Sequence, residues 1–196
     1  MSRNLFRLAS PVVFDEPFPY LTAEEGLGEF ISSAFLEWLE NDAPLKLVET
    51  DFYEQYEFSL FDAPLPEHLK FLAKQPFLKD VREQVAGVFG TRLGERIDCT
   101  VHKLVPGQTI RIHNDYILGE ETHRLLLQLN RGWCDDQGGY LMLFNSEDPS
   151  DVHKVLPPAH DSVFGFAISE RSNHAVSTIH SGERFTIVFS FYDDTD

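Results

Sequence analysis

Residues 174–192 read HAVSTIHSGERFTIVFSFY, and the last nine of them carry the pattern that decides the fold. From residue 184 to residue 192, side chains of two kinds alternate strictly. One set is large and apolar: Phe185, Ile187, Phe189 and Phe191. The other set is Arg184, Thr186, Val188 and Ser190. An alternation with period two indicates a β-strand with one face on a hydrophobic core.

The second face of this strand carries one cation and two hydroxyl groups, and we expect it to face an interior. A buried arginine needs an anionic partner, because an unpaired buried charge is costly. The guanidinium group of Arg184 suits a carboxylate ligand, which it can bind through two parallel hydrogen bonds, and the hydroxyl of Thr186 adds a further donor. The strand therefore indicates a site for a carboxylate.

The sequence that precedes this strand has a pattern typical of an all-β domain. From about Arg96 onward, short apolar or alternating runs are separated by turn residues. The turns are Pro106-Gly107, Gly119, Gly132, Gly138-Gly139, Pro157-Pro158 and Ser181-Gly182. This spacing predicts a β-sandwich or barrel rather than repeated β-α-β units.

The N-terminal half carries helical signals. Thr22 and Glu25 have the spacing of a capping box, and apolar residues at helical spacing follow them as far as Asn41. We therefore predict a first helix that begins shortly after Thr22 and ends near Asn41.

A strand region and a second helical region follow before the β-rich half. Residues 45–61 read as strand material, and Pro66 begins a helical stretch that Pro76 should break or kink. All 196 residues then form one domain, with a helix-rich support region at 1–95 and a β core at 96–196. The predicted fold class is mainly β with a helical N-terminal part.

Composition narrows the range of functions. The chain has 32 Asp and Glu against 16 Lys and Arg, a net charge of −16, yet 42% of its residues are hydrophobic and 13% are aromatic. It is too apolar for a disordered acidic tail, and too acidic for a nucleic-acid binder or for docking on an anionic membrane. Neither a signal peptide nor a membrane span is expected, so we predict a cytoplasmic protein.

The segment His113-Asn114-Asp115 supplies possible metal ligands. Residues two apart in a strand project from the same face, so both side chains could point into one interior. With a second histidine they would form the two-histidine, one-carboxylate triad that binds Fe(II). The candidates downstream are His123, His153, His160, His174 and His180. We favour His174 because it precedes Arg184 by ten residues.

The order of these motifs resembles the iron- and 2-oxoglutarate-dependent oxygenases of the prolyl-4-hydroxylase-like kind. His113-x-Asp115, His174 and Arg184 carry the resemblance. Further matching segments are Pro106-Gly107, Leu125–Asn130 (LLLQLN), Trp133, Gly138–Leu141 (GGYL), His174–Val176 (HAV) and Gly182–Arg184 (GER). The resemblance covers about residues 97–192.

The resemblance implies a double-stranded β-helix, which is a cupin-like jelly roll. It also implies Fe(II) bound by His113, Asp115 and His174, with 2-oxoglutarate and O₂ as co-substrates. The distal carboxylate of 2-oxoglutarate would pair with Arg184 and Thr186. Iron halogenases of this superfamily lack the carboxylate ligand, so the aspartate at position 115 favours hydroxylation.

Two positions depart from the family pattern. Gln128 and Leu104 stand where tyrosines are common in the family. Gln128 lies on the strand face that can point into the interior, so its side-chain amide could still donate to the co-substrate carboxylate. We therefore count Gln128 among the co-substrate residues.

The expected reaction is oxidation of an amino-acid side chain in a peptide or protein, with prolyl residues as the first candidates. Oxidation of a peptide natural product or of a small metabolite is an alternative within the class. A non-catalytic jelly-roll module that binds metal and a zinc hydrolase with the same triad are the alternatives outside it. The net negative charge of the chain suggests that a basic or neutral peptide is preferred as substrate.

Several other residues are candidates for substrate contact. Arg124 could lie at the mouth of the site, and Asn114 and Tyr116 flank the proposed ligands. The polar group Asp51, Tyr53, Glu54 and Tyr56 is either an exposed strand face or part of a substrate surface.

Overall fold

The computed structural model describes residues 6–50 and 53–194. Its elements are, in chain order, β1 (Val12–Phe14), β2 (Tyr20–Ala23), α1 (Glu29–Asn41), β3 (Lys46–Glu49), β4 (Glu54–Ser59), α2 (Gln75–Phe89), β5 (Leu93–Leu104), β6 (Ile110–His113), β7 (His123–Gln128), β8 (Leu141–Phe144), β9 (Val152–Leu156), β10 (Val163–Ala167), β11 (His174–Val176) and β12 (Arg184–Asp193). Short 3-10 helices cover Leu60–Asp62, Glu67–Ala73 and Asp135–Gln137.

The strands form two antiparallel sheets. The larger sheet has eight strands in the order β1-β2-β10-β7-β12-β5-β4-β3, and the smaller sheet has four in the order β6-β11-β8-β9. This arrangement confirms the mainly β fold and the jelly-roll architecture. In the smaller sheet β6 pairs with β11, and two of the possible metal ligands, His113 and His174, lie on these strands.

The strand β12 lies in the middle of the larger sheet, between β7 and β5, and its two faces are those that the alternation predicts. Its large apolar side chains join a core that includes residues of α1 and α2. On the opposite face, Val188 joins a second core shared by the two sheets. The molecule therefore has three layers, which are the helices, the larger sheet and the smaller sheet. In the part of the chain that the structure describes, no helix is long and apolar enough to span a membrane.

The start of the first helix differs from the prediction. Thr22 lies in β2, where it pairs with Phe164 of β10, and α1 begins only at Glu29. The predicted capping box is therefore wrong. The carboxylate of Asp161 instead accepts hydrogen bonds from the backbone N–H groups of Leu27 (2.8 Å) and Gly28 (2.7 Å), just before the helix. A residue far along the chain thus binds the N–H groups at this helix entry.

The rest of the N-terminal half contributes to the larger sheet as well as to the helical layer. β3 and β4 fall within the predicted strand region 45–61 and extend the sheet beyond β5, although residues 51 and 52 of that region lie outside the described part. The second helical stretch is interrupted at Lys74, and Pro76 lies in the first turn of α2, where a missing N–H is tolerated. The helical N-terminal part therefore also supplies four strands.

Candidate active site

Three side chains with metal-binding groups meet where β6 and β11 pair. His113 ends β6 and His174 begins β11, and these two residues lie directly opposite each other. Asp115 has its Oδ1 at 3.4 Å from Nε2 of His113 and its Oδ2 at 3.3 Å from Nε2 of His174. One ligand atom from each residue lies within 4.8 Å of the others. These donors have the chemical types of the two-histidine, one-carboxylate triad, so they fit a divalent transition metal such as Fe(II).

Backbone carbonyl groups orient both imidazoles. Nδ1 of His113 lies 2.8 Å from the carbonyl oxygen of Arg111, and Nδ1 of His174 lies 2.8 Å from that of Ser172. A carbonyl oxygen can only accept, so each Nδ1 carries the proton and each Nε2 presents a lone pair near Asp115. Burial lowers the pKa of His174, which favours the neutral form that binds metals.

The backbone at Asp115 differs from the strand that the sequence suggested. β6 ends at His113, and Asp115 has a φ of 61°, in the left-handed region. The side-chain oxygen of Asn114 accepts a hydrogen bond from the backbone N–H of Tyr116 at 3.0 Å, which closes a turn around this residue. The histidine and the aspartate therefore share one site because of a turn, and not because of strand alternation. Aspartate is among the residues that tolerate this conformation best.

Arg124 of β7 holds the carboxylate of Asp115. Its Nη1 donates to Oδ2 of Asp115 at 2.6 Å, while its Nε (3.1 Å) and Nη2 donate to Glu121. Burial alone would raise the pKa of Asp115, but its polar surroundings, which include the positive charge of Arg124, hold it well below its usual range. Asp115 is therefore ionised, which is the state that binds a cation.

Among the candidates for the second histidine, only His174 lies beside the His-x-Asp pair. His153 and His180 are exposed. His123 packs against an aromatic ring of α2 at 5.1 Å between ring centroids, on the helical side of the sheet. His160 has both ring nitrogens buried and without a hydrogen-bond partner among the described residues.

A second functional group, Arg184, lines the same cavity from β12 and is 3% exposed. Its Nη1 donates to the hydroxyl of Thr186 at 2.7 Å, and that hydroxyl donates to Oε1 of Gln128 at 2.9 Å. Within the described residues, Nε and Nη2 of Arg184 are buried with no hydrogen-bond partner. Burial lowers the pKa of Arg184 to about 10, so the side chain is still a cation at neutral pH. Two unpartnered donors on a buried cation fit an anion such as a carboxylate.

The predicted Gly-Gly turn makes room for this arginine. A β-carbon on Gly139 would lie 3.0 Å from Cδ of Arg184 and 2.7 Å from Cδ1 of Ile179. A β-carbon on Gly138 would lie 2.0 Å from the carbonyl oxygen of Thr178. Both glycines also have positive φ angles, 71° and 69°. A larger residue at either position would displace the backbone or the side chain that closes the Arg184 end of the cavity.

The cavity has a volume of about 790 Å³ and contains residues that the sequence did not single out. Gln55 and Glu57 of β4 and His102 of β5 line it. Burial, together with the charges of the two cavity arginines, lowers the pKa of His102 to about 3, so this imidazole is neutral. Strand parity along β5 could have indicated His102, which is two residues from Leu104, but the pairing of β4 with β5 cannot be read from the sequence.

The four polar residues that were considered for substrate contact do not all lie at the cavity. Tyr53 lines the cavity. Glu54 accepts a hydrogen bond from Gln108 at 2.9 Å, and Tyr56 lies under the ammonium group of Lys103, on the other face of the sheet. Asp51 lies outside the described residues.

The two residues after the aspartate, with Asn114, border the cavity opening. Tyr116 and Ile117 line it and are 39% and 65% exposed. Asn114 also lines the cavity, and its side-chain amide donates to the carbonyl of Glu170 at 3.3 Å. The opening is therefore partly apolar, next to the triad.

Part of the sequence also matches a model of a known protein family. A family model described as the 2OG-Fe(II) oxygenase superfamily matches residues 99–191. No curated protein sequence matches the chain.

Several solved structures have a similar fold. A prolyl-4-hydroxylase from Pseudomonas putida has a TM-score of 0.72 at 18% identity, over 90% of this chain and 93% of its own. A prolyl hydroxylase from Trichoplax adhaerens, solved with a peptide fragment of the hypoxia inducible factor oxygen degradation domain, has a TM-score of 0.71 at 17% identity, over 89% and 83%. The viral collagen prolyl hydroxylase of Paramecium Bursaria Chlorella virus-1, solved with 2OG, has a TM-score of 0.62 at 10% identity, over 89% and 96%.

The matched segment contains the three clustered side chains and the buried arginine, and the fold around it is that of the prolyl hydroxylases. The family resemblance seen in the sequence is thereby confirmed. Members of this family use Fe(II), 2-oxoglutarate and O₂. Residues 99–191 match the 2OG-Fe(II) oxygenase superfamily, and the chain is a dioxygenase of this type.

Proposed function

We propose that this oxygenase hydroxylates an amino-acid side chain in a peptide or protein, with prolyl residues as the first candidates. The observation that carries the proposal is the pairing of two sites in one cavity. The His113, Asp115 and His174 cluster lies in the same 790 Å³ space as Arg184, a buried cation with two unpartnered donors.

In this proposal, His113 and His174 bind Fe(II) through Nε2, and Asp115 binds it through a carboxylate oxygen. The backbone carbonyls at residues 111 and 172 hold the two imidazoles in the correct tautomer. Arg124 keeps the carboxylate of Asp115 in place. The ligands would therefore need little rearrangement when the metal binds.

Arg184 binds the distal carboxylate of 2-oxoglutarate through its free Nε and Nη2, and Thr186 and Gln128 complete that end of the pocket. Removing these donors from water without an anion is unfavourable, so the co-substrate satisfies groups that the protein leaves unpaired. A zinc hydrolase with the same triad would have no use for this cation. The arginine thus favours the oxygenase over the hydrolase.

When bound, Fe(II) and 2-oxoglutarate supply an O₂-dependent oxidation of a C–H bond, in which 2-oxoglutarate becomes succinate and CO₂ and the substrate gains one oxygen atom. The protein holds the reactants together and keeps water away from them. His174 and Arg184 are 5% and 3% exposed, which limits the access of water to both ends of the pocket.

A peptide or protein substrate is supported by two observations. The similar Trichoplax adhaerens enzyme was solved with a peptide fragment, and the similar Pseudomonas putida enzyme is a prolyl-4-hydroxylase. In this chain the cavity opens past Tyr116 and Ile117, both partly exposed, which offers apolar contact to a larger substrate. A proline ring is apolar and would fit beside such residues.

The experiment is a coupled assay. The purified chain is incubated with Fe(II), 2-oxoglutarate, O₂ and proline-containing peptides, and succinate formation is measured together with the peptide mass. We expect succinate in proportion to peptides that have gained one oxygen atom. A library that leaves succinate formation at the peptide-free rate and every peptide mass unchanged would contradict peptide hydroxylation. An Asp136→Ala variant, changed at an exposed aspartate outside the cavity, serves as the control preparation.

A further inference from the structure

We propose that Glu57 and Gln55 of β4 form a subsite that binds a positively charged group of the substrate. This inference rests on the proposed function and deepens it, since it names the chemical class of substrate. The group would be the ammonium of a lysine or of a free amino acid, or the guanidinium of an arginine. The subsite lies in the same cavity as the triad.

Gln55 provides an acceptor that no group of the described residues uses. It is 2% exposed, and its Nε2 donates to Oε2 of Glu57 at 2.8 Å. Its Oε1 is buried and has no hydrogen-bond donor among the described residues. A buried acceptor without a donor is unfavourable, so the site is completed by a ligand that carries N–H groups.

Glu57 provides a negative charge that no described lysine or arginine neutralises through a salt bridge. Among the described residues, the basic group within salt-bridge distance of Glu57 is Nε2 of His102, at 3.9 Å from Oε2. His102 is neutral in the buried cavity, since burial lowers its pKa to about 3. Asp115 and Glu121, which line the same cavity, differ from Glu57 because both pair with Arg124.

The strand register places this subsite near the proposed co-substrate pocket. Glu57 lies opposite His102 in the pairing of β4 with β5, and His102 lies opposite Thr186 in the pairing of β5 with β12. Glu57 is therefore two strand spacings, about 10 Å, from the residue proposed to bind 2-oxoglutarate. Tyr53 lines the same cavity, and burial together with the charge of Glu57 raises its pKa.

The acceptors of the subsite define the chemistry of the ligand. The carboxylate of Glu57 and the carbonyl of Gln55 can each accept from an ammonium or a guanidinium group, and they would repel a carboxylate. In a peptide, the cation would be a lysine or arginine side chain close in sequence to the oxidised residue. In a small substrate, it would be the α-ammonium group.

The test measures peptide affinity in the complete protein, loaded with Fe(II) and 2-oxoglutarate and kept free of O₂. The probes are acetylated five-residue peptides with a central proline flanked by lysine, glutamine or glutamate, together with free lysine. Isothermal titration calorimetry gives each dissociation constant. We expect the lysine peptide or free lysine to bind about tenfold more tightly than the glutamine peptide, and the glutamate peptide to bind most weakly. Whichever lysine ligand is tighter identifies the source of the cation.

Two variants test whether Glu57 causes the preference for the lysine ligand. Glu57→Gln keeps the size of the side chain and removes its charge, so the lysine and glutamine peptides should bind with nearly equal affinity. Glu49→Gln, at an exposed acid in the adjacent strand, should keep the native preference. A lysine preference that survives Glu57→Gln unchanged would overturn the proposal, and so would a native protein that neither discriminates between the three peptides nor binds free lysine.

The visible absorption band of the loaded protein separates this proposal from the function on which it rests. A native protein that forms no band with Fe(II) and 2-oxoglutarate contradicts the proposed function itself. A native protein that forms the band but neither discriminates between the peptides nor binds free lysine contradicts only the subsite.

Discussion

The two ends of the cavity are built differently. At the triad end, the protein already provides partners for its own groups, because carbonyl oxygens accept from both histidines and Arg124 donates to Asp115. At the other end, Arg184 has two buried donors with no partner among the described residues. The first end is organised by the protein before anything binds, whereas the second is completed only by a ligand.

This difference has a thermodynamic consequence. Removing a partner at the triad end leaves a buried charge uncompensated and should destabilise the ligand-free protein. Removing the unpaired charge at the Arg184 end should stabilise it. The two ends can therefore be distinguished by the sign of the stability change as well as by loss of function.

The largest effect is expected for Asp115→Ala. This change removes a proposed iron ligand and leaves Arg124 without one of its two carboxylate partners. We expect iron binding and succinate formation to fall by more than about 100-fold, which is beyond the usual effect of residues that only support a ligand. Metal content after dialysis and the rate of succinate formation measure it. Asp136→Ala should behave as the native protein, and an Asp115→Ala protein that retains iron would break the comparison.

A loss of the same order, confined to the co-substrate, is expected for Arg184→Met. The variant should raise the KM for 2-oxoglutarate by about 100-fold, since it removes two hydrogen bonds from a charged donor, while iron binding is kept. The ligand-free variant should unfold with a free energy about 2 kcal/mol higher than that of the native protein, because an unpaired buried cation is gone. Equal losses of iron and 2-oxoglutarate binding, or a destabilised variant, would remove the contrast between the two ends. Arg131→Met, at an exposed arginine, is the control.

A smaller effect is expected for Arg124→Gln, which tests whether the triad end is organised by its surroundings. The variant loses the charged hydrogen bond to Asp115 but keeps every proposed ligand. Iron affinity should fall by about 10-fold, in the range typical for groups that orient metal ligands, and the KM for 2-oxoglutarate should change less. Iron titration under anaerobic conditions gives the affinity. Unchanged affinity would show that the ligands do not depend on this contact.

The smallest effect is a pH dependence at His102, which lies between the two ends. Its folded-state pKa of about 3 is below the usual value, so below about pH 6.5 the unfolded chain binds a proton that the folded protein does not. The free energy of unfolding therefore falls as pH falls through this window. From about pH 6 to about pH 5, the native protein should lose about 1 kcal/mol more than His102→Gln. Urea unfolding at the two pH values measures it, with the exposed His68→Gln as a control; identical losses would mean that His102 is not buried in the neutral form.

Regular alternation made the central part of the structure predictable. The two faces of β12, the all-β pattern after residue 96 and the interruption of the helical stretch just before Pro76 follow from local patterns of one strand or one turn. The ordered motifs also indicated the family, because their spacing reflects how the sheets bring distant segments together. His174 could be chosen among five histidines for the same reason.

Features that depend on long-range pairing were not predictable. Thr22 lies in a strand because it pairs with Phe164, and the entry to the first helix is bound by Asp161, which no local window contains. The left-handed backbone at Asp115 also escaped the strand interpretation. Glu57 faces His102 only because of the register between two strands, and a sequence alone does not specify that register. The division into regions 1–95 and 96–196 of one domain stays a prediction.

The most direct test of the account is the anaerobic addition of Fe(II) and 2-oxoglutarate to the native protein, followed by visible spectroscopy. The central claim is that one cavity holds a metal at the triad and the co-substrate carboxylate at Arg184. We predict a weak charge-transfer band that needs both additions, is absent in His174→Ala, and reappears in Arg184→Met only at much higher 2-oxoglutarate concentrations. A native protein without the band, or a His174→Ala protein that keeps it unchanged, would contradict the account.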